Sequence, residues 1–206
     1  MARPFLKWAG GKRQMLPEIQ ARLPHDLEKC TTYVEPFVGA GAVFFHLVEN
    51  YEFDNVHIAD INPELIICYR SLQSSAPEVI THLSSIIEEY PEDEQGRSEF
   101  YYKLREKWNE SVNKTSILSQ DAQALRAAQT IFINKTCFNG LFRVNRNGQF
   151  NVPAGRYANP SFPTEEALLG VQEALQGVEI HLASFEECEQ WVDGRSFVYF
   201  DTRVTE

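Results

Sequence analysis

Two apolar periods divide this chain, a period of two typical of strands and a three-to-four spacing typical of helices, and their order predicts an α/β fold holding a helical block. Thr31 to Glu35 reads as a first strand, running through a glycine loop, Gly39–Ala40–Gly41, into a helix from Gly41 to Asn50. Val56 to Asp60 reads as a second strand, which completes one βαβ unit. A short helix begins near Met15, and Ile61–Asn62–Pro63 opens another, with Asn62 as cap and Pro63 at the first helical position.

From Pro63 to about Lys135 the spacing is helical only. Leu65–Ile66–Cys68–Tyr69–Leu72, Val79–Ile80–Leu83–Ile86–Ile87 and Phe100–Tyr101–Leu104–Trp108 predict three helices. Pro91 to Gly96 is a polar loop, and a fourth helix starts at Asp121 with the stripe Ala124, Leu125, Ala128, Ile131 and Phe132. Asn147–Gly148, flanked by alternating Phe142, Val144, Phe150 and Val152, predicts a type I′ hairpin. The α/β pattern then resumes: a helix from Glu165 to Leu175, a strand Val178–Leu182, a helix from Ser184 to about Trp191, and a strand Phe197–Asp201.

The 206 residues, 43% of them hydrophobic, suffice for one substantial core. No apolar run approaches the ~20 residues that span a bilayer, and the apolar stretch before Lys7 is too short for a signal peptide, so a cytoplasmic, membrane-free protein is expected. Cys30, Cys68, Cys137 and Cys188 form no metal-type pair and are expected as reduced thiols. The five histidines share no metal spacing, and no metal is expected.

A formal charge of −10 argues against a polyanionic partner until its distribution is read. No acid lies between Asp121 and Glu165, a window that holds Arg126, Lys135, Arg143, Arg146 and Arg156. Residues 1–17 hold Arg3, Lys7, Lys12 and Arg13, again without an acid. A local basic face on an acidic body can still grip phosphates, because screening over roughly 8–10 Å makes near charges count most. A chance gap in the acids is the alternative. On the hairpin, Arg143, Asn145 and Gln149 are side-chain types that read base edges in a groove; a solvated surface hairpin is the plainer reading.

The glycine loop itself admits two nucleotide readings. A dinucleotide-phosphate site wants a third glycine three residues after the second, where Phe44 stands, and Glu35 at the strand end would repel a pyrophosphate. S-adenosylmethionine has no phosphate and carries a cationic sulfonium and amino group, so Glu35 and a two-glycine loop suit it better than NAD. Asp60, 19 residues beyond Gly41, is spaced to bind ribose hydroxyls in either case, and Ile61 is placed to cover an adenine face. Beside such a pocket, Trp8 can pack on the ligand and Lys12 can pair with its carboxylate. An ordinary glycine turn remains the alternative.

Taken in order, Trp8–Ala9–Gly10–Gly11–Lys12, Glu35–Pro36–Phe37–Val38–Gly39–Ala40–Gly41, Asp60–Ile61–Asn62, Phe138–Asn139–Gly140–Leu141 with Arg143, and Phe150 through Tyr157 resemble the successive signatures of the Dam-type (D12 class) DNA adenine-N6 methyltransferases. The resemblance implies a Rossmann-like methyltransferase sheet with an inserted helical recognition subdomain and hairpin. The core would comprise 1–62 and 160–206, C-terminally incomplete, and the insertion 63–159. It implies S-adenosylmethionine held by Trp8, Lys12, Glu35, Phe37, Gly39, Gly41, Asp60, Ile61, Phe185 and Asp201. Double-stranded DNA would be contacted by Phe138, Asn139, Leu141, Arg143, Asn145, Pro153, Arg156 and Tyr157, with a GATC-like site as the common case and a monomer as the acting unit.

The departure lies at the catalytic strand. The family's strand ends Asp-Pro-Pro-Tyr, whereas Asp201 here is followed by Thr202, Arg203 and Val204. The acid can still accept a hydrogen bond from the adenine amino group, but a proline-held carbonyl and a stacking ring are missing. The expectation is a truncated or altered-end enzyme, impaired in catalysis, with Phe197–Asp201 as an uncovered edge strand. A catalytically inactive, sequence-specific DNA-binding remnant is the second reading.

Overall fold

The computed structural model describes residues 2–112 and 119–201. Four parallel strands form one sheet: β1 (Thr32–Glu35), β2 (Asn55–Asp60), β3 (Val178–Leu182) and β4 (Ser196–Val198), in the order β3-β2-β1-β4. The register pairs Val34 with His57 and Val198, and Ile58 with Ile180. The helices are α1 (Leu16–Gln20), α2 (Ala42–Asn50), α3 (Pro63–Glu88), α4 (Glu94–Glu110), α5 (Gln120–Thr136) and α6 (Glu165–Ala174).

Alternation along the strands sends side chains to two faces. Tyr33, Ile58, Val178, Ile180 and Phe197 join the main core, which continues through Tyr69 and Leu72 of α3 to Trp108, Phe132 and Phe150. Val34, Ala59 and Val198 point the other way and meet Ala183, Cys188 and Trp191 in a small separate cluster. One hydrophobic core therefore runs from the sheet into the helical block.

The two periodic blocks expected as separate helices, at Leu65–Leu72 and Val79–Ile87, are halves of the single helix α3. It bends at Ser75 (φ −153°, ψ 46°), two residues before Pro77, whose ring and missing N–H break the helical ladder. Asn62 caps α3 as expected, its Oδ1 accepting the Glu64 and Leu65 amides at 3.0 and 3.3 Å. The loop expected through Gly96 is shorter, because Asp93 caps α4 by accepting the Gly96 amide at 2.8 Å. The segment Phe185–Trp191 is a 3₁₀ helix, opened by a reciprocal Ser184/Glu187 capping box.

The hairpin also differs. Only one bridge, Val144 to Phe150, joins its arms, and Asn147 does not adopt the positive φ that a type I′ turn needs. Gly148 alone is left-handed (φ 77°), its amide reaching the Asn145 carbonyl at 2.9 Å while the Asn145 amide reaches Gln149 at 2.8 Å. This is a three-residue loop with a glycine bulge, chosen because the Asn145 side chain accepts the Asn147 and Gln149 amides and locks the turn one residue early.

A buried ion pair joins α5 to the first turn of α3, just after β2. Arg126 of α5 donates to both Glu64 carboxylate oxygens at 2.7 and 2.8 Å, lies over the Trp108 ring and donates to the Trp108 carbonyl.

Candidate functional site

β1 and β2 end on the same side of the sheet, and the chain visits β2 on one side of β1 and β4 on the other. That reversal is where open α/β sheets form their binding crevice. A cavity of about 440 Å³ opens there, within the range of small-molecule sites. Among its lining residues are Trp8, Lys12, Glu35, Phe37, Gly39, Gly41, Asp60, Ile61 and Asp201. Nine of the ten residues expected to hold the cofactor thus converge from four separate stretches. The tenth, Phe185, stands outside the lining and reaches it through Phe37, on which it stacks at 5.6 Å between centroids.

The glycine loop has the shape its composition suggested. Gly39 and Gly41 are left-handed (φ 49° and 75°), and a Cβ on Gly41 would lie 2.6 Å from the Tyr69 hydroxyl. That hydroxyl donates to the Gly39 carbonyl at 3.0 Å, while the Gly39 amide donates to Asp60 Oδ2 at 3.2 Å. Asp60 Oδ1 accepts the Asn62 amide at 2.9 Å, so this carboxylate is oriented by two backbone donors. Ile61 beside it is 72% exposed, an apolar surface lying open in the cavity.

Glu35 is fully enclosed, and burial pushes its pKa up to about 8, against the Tyr33 hydroxyl that donates to it and with Asp201 adding repulsion. A carboxyl held this way is a latent anion: a cationic group brought beside it would restore the charge that desolvation suppresses. Lys12, expected at the cofactor's carboxylate, and Asp201, expected at both cofactor and target, form an ion pair with each other at 2.6 Å. Phe200 is 51% exposed and tilts against Phe37 at 6.4 Å.

Phe142 was missed as a cavity residue. Its alternation with Val144 and Phe150 marks it as hairpin core, yet it stacks on Trp8 at 5.2 Å and so joins the hairpin to the cavity wall. Nothing in local sequence signals a contact between residues so far apart.

The residues expected to meet DNA fall into two groups. Phe138, Asn139, Pro153, Arg156 and Tyr157 line a second cavity of about 750 Å³, together with Arg97 and Tyr102 of α4. Asn139 holds a left-handed φ of 55°, and Phe138 is 51% exposed. Leu141, Arg143 and Asn145 lie exposed beyond it on the hairpin arm. Arg143 is aimed by its Nε, which donates to Asn151 Oδ1 at 2.7 Å, whereas Asn145 spends its side-chain oxygen on the turn.

The basic face is smaller than the charge count suggested. Arg126 is buried against Glu64 and takes no part in it. Burial, reinforced by Lys7, pulls Lys135 down to about 8, and Lys7 itself sits 4.6 Å over the Tyr157 ring. Acids from α4 close in: Glu94 lines the second cavity, and Glu106 and Glu110 line a groove with Asn145 and Gln149. An acid-free sequence window therefore does not make an acid-free surface. Thr202, Arg203 and Val204, the basis of the expected catalytic impairment, lie outside the described residues. Expected strand Phe197–Asp201 is shorter, half-buried and an outer strand among the described residues, with pairing extended by the Tyr199 amide to the Val34 carbonyl at 2.9 Å.

Comparison with known proteins gives this site its context. A family model for the D12 class N6 adenine-specific DNA methyltransferases matches residues 8–202. The type II methyltransferase M.MjaIII of Methanocaldococcus jannaschii is 46% identical over 202 residues, covering 97% of this chain and 68% of that protein. The type II methyltransferase M1.LlaDCHI of Lactococcus lactis is 37% identical over 201 residues, and the DNA adenine methylase of Vibrio cholerae serotype O1 is 36% identical over 199. Of each of these two the chain spans 64%, so it covers about two thirds of the length of the curated relatives it matches. The match begins at Trp8 in the cavity wall and runs through Asp201; this chain belongs to the D12 class N6 adenine-specific DNA methyltransferases.

Proposed function

We propose that the chain binds S-adenosylmethionine in the strand-end cavity and transfers its methyl group to adenine N6 in a short duplex DNA site, GATC-like in sequence. The observation that carries this reading is a fully buried acid, Glu35, at the floor of a glycine-lined cavity that also holds Asp60 and Asp201. A set of carboxyl groups suits a cationic nucleoside better than a pyrophosphate, which disfavours a dinucleotide.

When bound, the cofactor supplies a methyl group activated on a sulfonium. Asp60 would accept hydrogen bonds from ribose hydroxyls, and Ile61 would cover one adenine face, with Phe185 supporting it through Phe37. Glu35 would hold the cofactor's amino group. Lys12, paired with Asp201 here, would hold the cofactor's carboxylate, and Asp201 would then accept a hydrogen bond from the adenine amino N–H. Trp8 closes the wall against Phe142.

Recognition belongs to the stretch 63–159 in this reading, with 1–62 and 160–206 forming the catalytic core. Arg143 reads a base edge, Leu141 and Phe138 offer apolar contact, and Asn139, Pro153, Arg156 and Tyr157 meet the backbone, while Asn145 shapes the turn that presents Arg143. No described helix is long and apolar enough to cross a membrane; a cytoplasmic monomer acting on duplex DNA, with no metal in the methyl transfer, is the corresponding picture.

Calorimetric titration of the chain with S-adenosylmethionine and with NADH tests the cofactor, and tritiated-methyl transfer to duplexes with and without GATC tests the reaction. Binding of the first nucleotide alone, with label appearing on GATC duplex, is expected. Retention of GATC duplex in a gel shift without label would make the chain a DNA-binding remnant instead, and failure of a folded chain to bind S-adenosylmethionine would overturn the assignment.

A further inference from the structure

The sheet's second face carries a cluster that the methyltransferase reading does not use. His57 on β2 and Glu179 on β3 are register partners, and His181 lies two residues further along β3 on the same face. His57 Nδ1 and His181 Nε2 stand 3.3 Å apart, and Glu179 Oε2 lies 3.8 and 3.9 Å from them. Trp191 covers both rings, nearly parallel to His57 (4°, 5.6 Å) and stacked on His181 at 3.8 Å.

We infer that His57, His181 and Glu179 form a binding site for a divalent transition-metal ion, with zinc as the best fit. The geometry argues it directly. Two imidazole nitrogens each ~2.0–2.1 Å from a tetrahedral zinc stand about 3.3–3.4 Å apart, which matches the observed separation. All three ligand atoms lie within 4.8 Å of one another. Glu179 is the one that must move, by roughly half an ångström to reach zinc–oxygen distance, and its side chain is 62% exposed and free to do so.

The two rings cannot drift, by contrast. His57 is 8% exposed, and Trp191 stacks on both rings. A two-nitrogen, one-oxygen set with an open fourth position for water is a recognised zinc arrangement, and imidazole excludes the hard cations magnesium and calcium. The opposing term is Arg70, whose charge acts on His181 while its guanidinium is tied to the Ile180 carbonyl at 2.7 Å; the Glu179 carboxylate offsets it. Without metal the same 3.3 Å contact is a hydrogen bond between the two rings. The ion would replace that proton and clamp β2 to β3. The histidines are 124 residues apart, so no spacing along the chain could have shown the pair.

Titration of the chain with Co²⁺, followed by Zn²⁺ displacement, tests the site with no reference to methyl transfer. One equivalent of Co²⁺ should give the intense visible bands of a tetrahedral ion, quench Trp191 fluorescence, and be displaced by Zn²⁺; Zn²⁺ should also raise the melting temperature. Glu179→Gln, at an exposed position that leaves folding intact, should weaken Zn²⁺ binding more than about tenfold, as should His181→Gln. Trp191→Phe should keep binding while losing most of the quenching. Binding that Glu179→Gln and His181→Gln leave unchanged would assign the ion to the other histidines and overturn the site, as would absence of Zn²⁺ binding by the folded chain.

Discussion

The strand-end cavity and the hairpin are held together differently. In the cavity, several polar side chains are tied to elements remote in sequence, Asp60 to the glycine loop, Tyr69 of α3 to the Gly39 carbonyl and Lys12 to Asp201, while Glu35 is held by Tyr33 of its own strand. On the hairpin the partners are close neighbours, Asn145 with Asn147 and Gln149 and Arg143 with Asn151. Positions fixed by tertiary contacts carry stability together with binding, so they are costly to change. Positions fixed by a local turn can be altered with little effect on the fold.

The largest expected effect is at the joint between the two regions. Arg126→Ala leaves the Glu64 carboxylate buried without its partner and should cost about 3–5 kcal/mol in urea unfolding, enough to unsettle cavity and hairpin alike. Replacing the pair together, Glu64→Gln with Arg126→Met, should recover much of that loss, because the unpaired charge is gone. If Arg126→Ala unfolded with wild-type stability, the joint would not be the support described.

Within the cavity, Gly41→Ala should cost about 1–3 kcal/mol from the left-handed backbone alone. The crowding against the Tyr69 hydroxyl adds to this. Loss of S-adenosylmethionine binding should accompany the loss of stability, since the loop is both wall and scaffold. Retained affinity in a destabilised variant would separate the two roles.

Glu35 gives the comparison a pH axis. Its carboxyl titrates near 4.5 when unfolded and near 8 when folded, so the folded state holds the extra proton between those values. Its contribution is full below about pH 4.5 and is lost as pH rises through 8, which makes stability fall across that window. Glu35→Gln should flatten the slope and raise the melting temperature near pH 8, while abolishing cofactor binding. In the wild type, a bound cation lowers the Glu35 pKa, so binding below pH 8 should release a proton and affinity should rise towards pH 8. Calorimetry in buffers of different ionisation enthalpy reads that proton directly.

The smallest structural effect belongs to the hairpin. Arg143→Ala should leave unfolding nearly unchanged and cost about 1–3 kcal/mol of discrimination at one base pair. Equal weakening on all sequences would make Arg143 a phosphate contact.

Much of this molecule was legible before its structure. Strand–loop–helix patterning located β1, α2 and β2 to within a residue, because a period of two and a glycine pair are local properties of the backbone. The same locality made Asn62 readable as a cap and brought nine cavity residues to notice through their motifs.

What stayed hidden depended on contacts between distant segments. Chain order alone could not show that Pro77 bends one helix where two were expected, or that Phe142 reaches from the hairpin core to stack on Trp8. It also could not show that Arg126 is withdrawn from the basic face by Glu64, 62 residues away, or that parallel strands set His57 beside His181. Local chemistry chose the elements, since capping, turn geometry and apolar period act over a few residues. Packing decided which charges face solvent and which side chains meet, since burial and pairing energies belong to the folded assembly and to no single stretch of it.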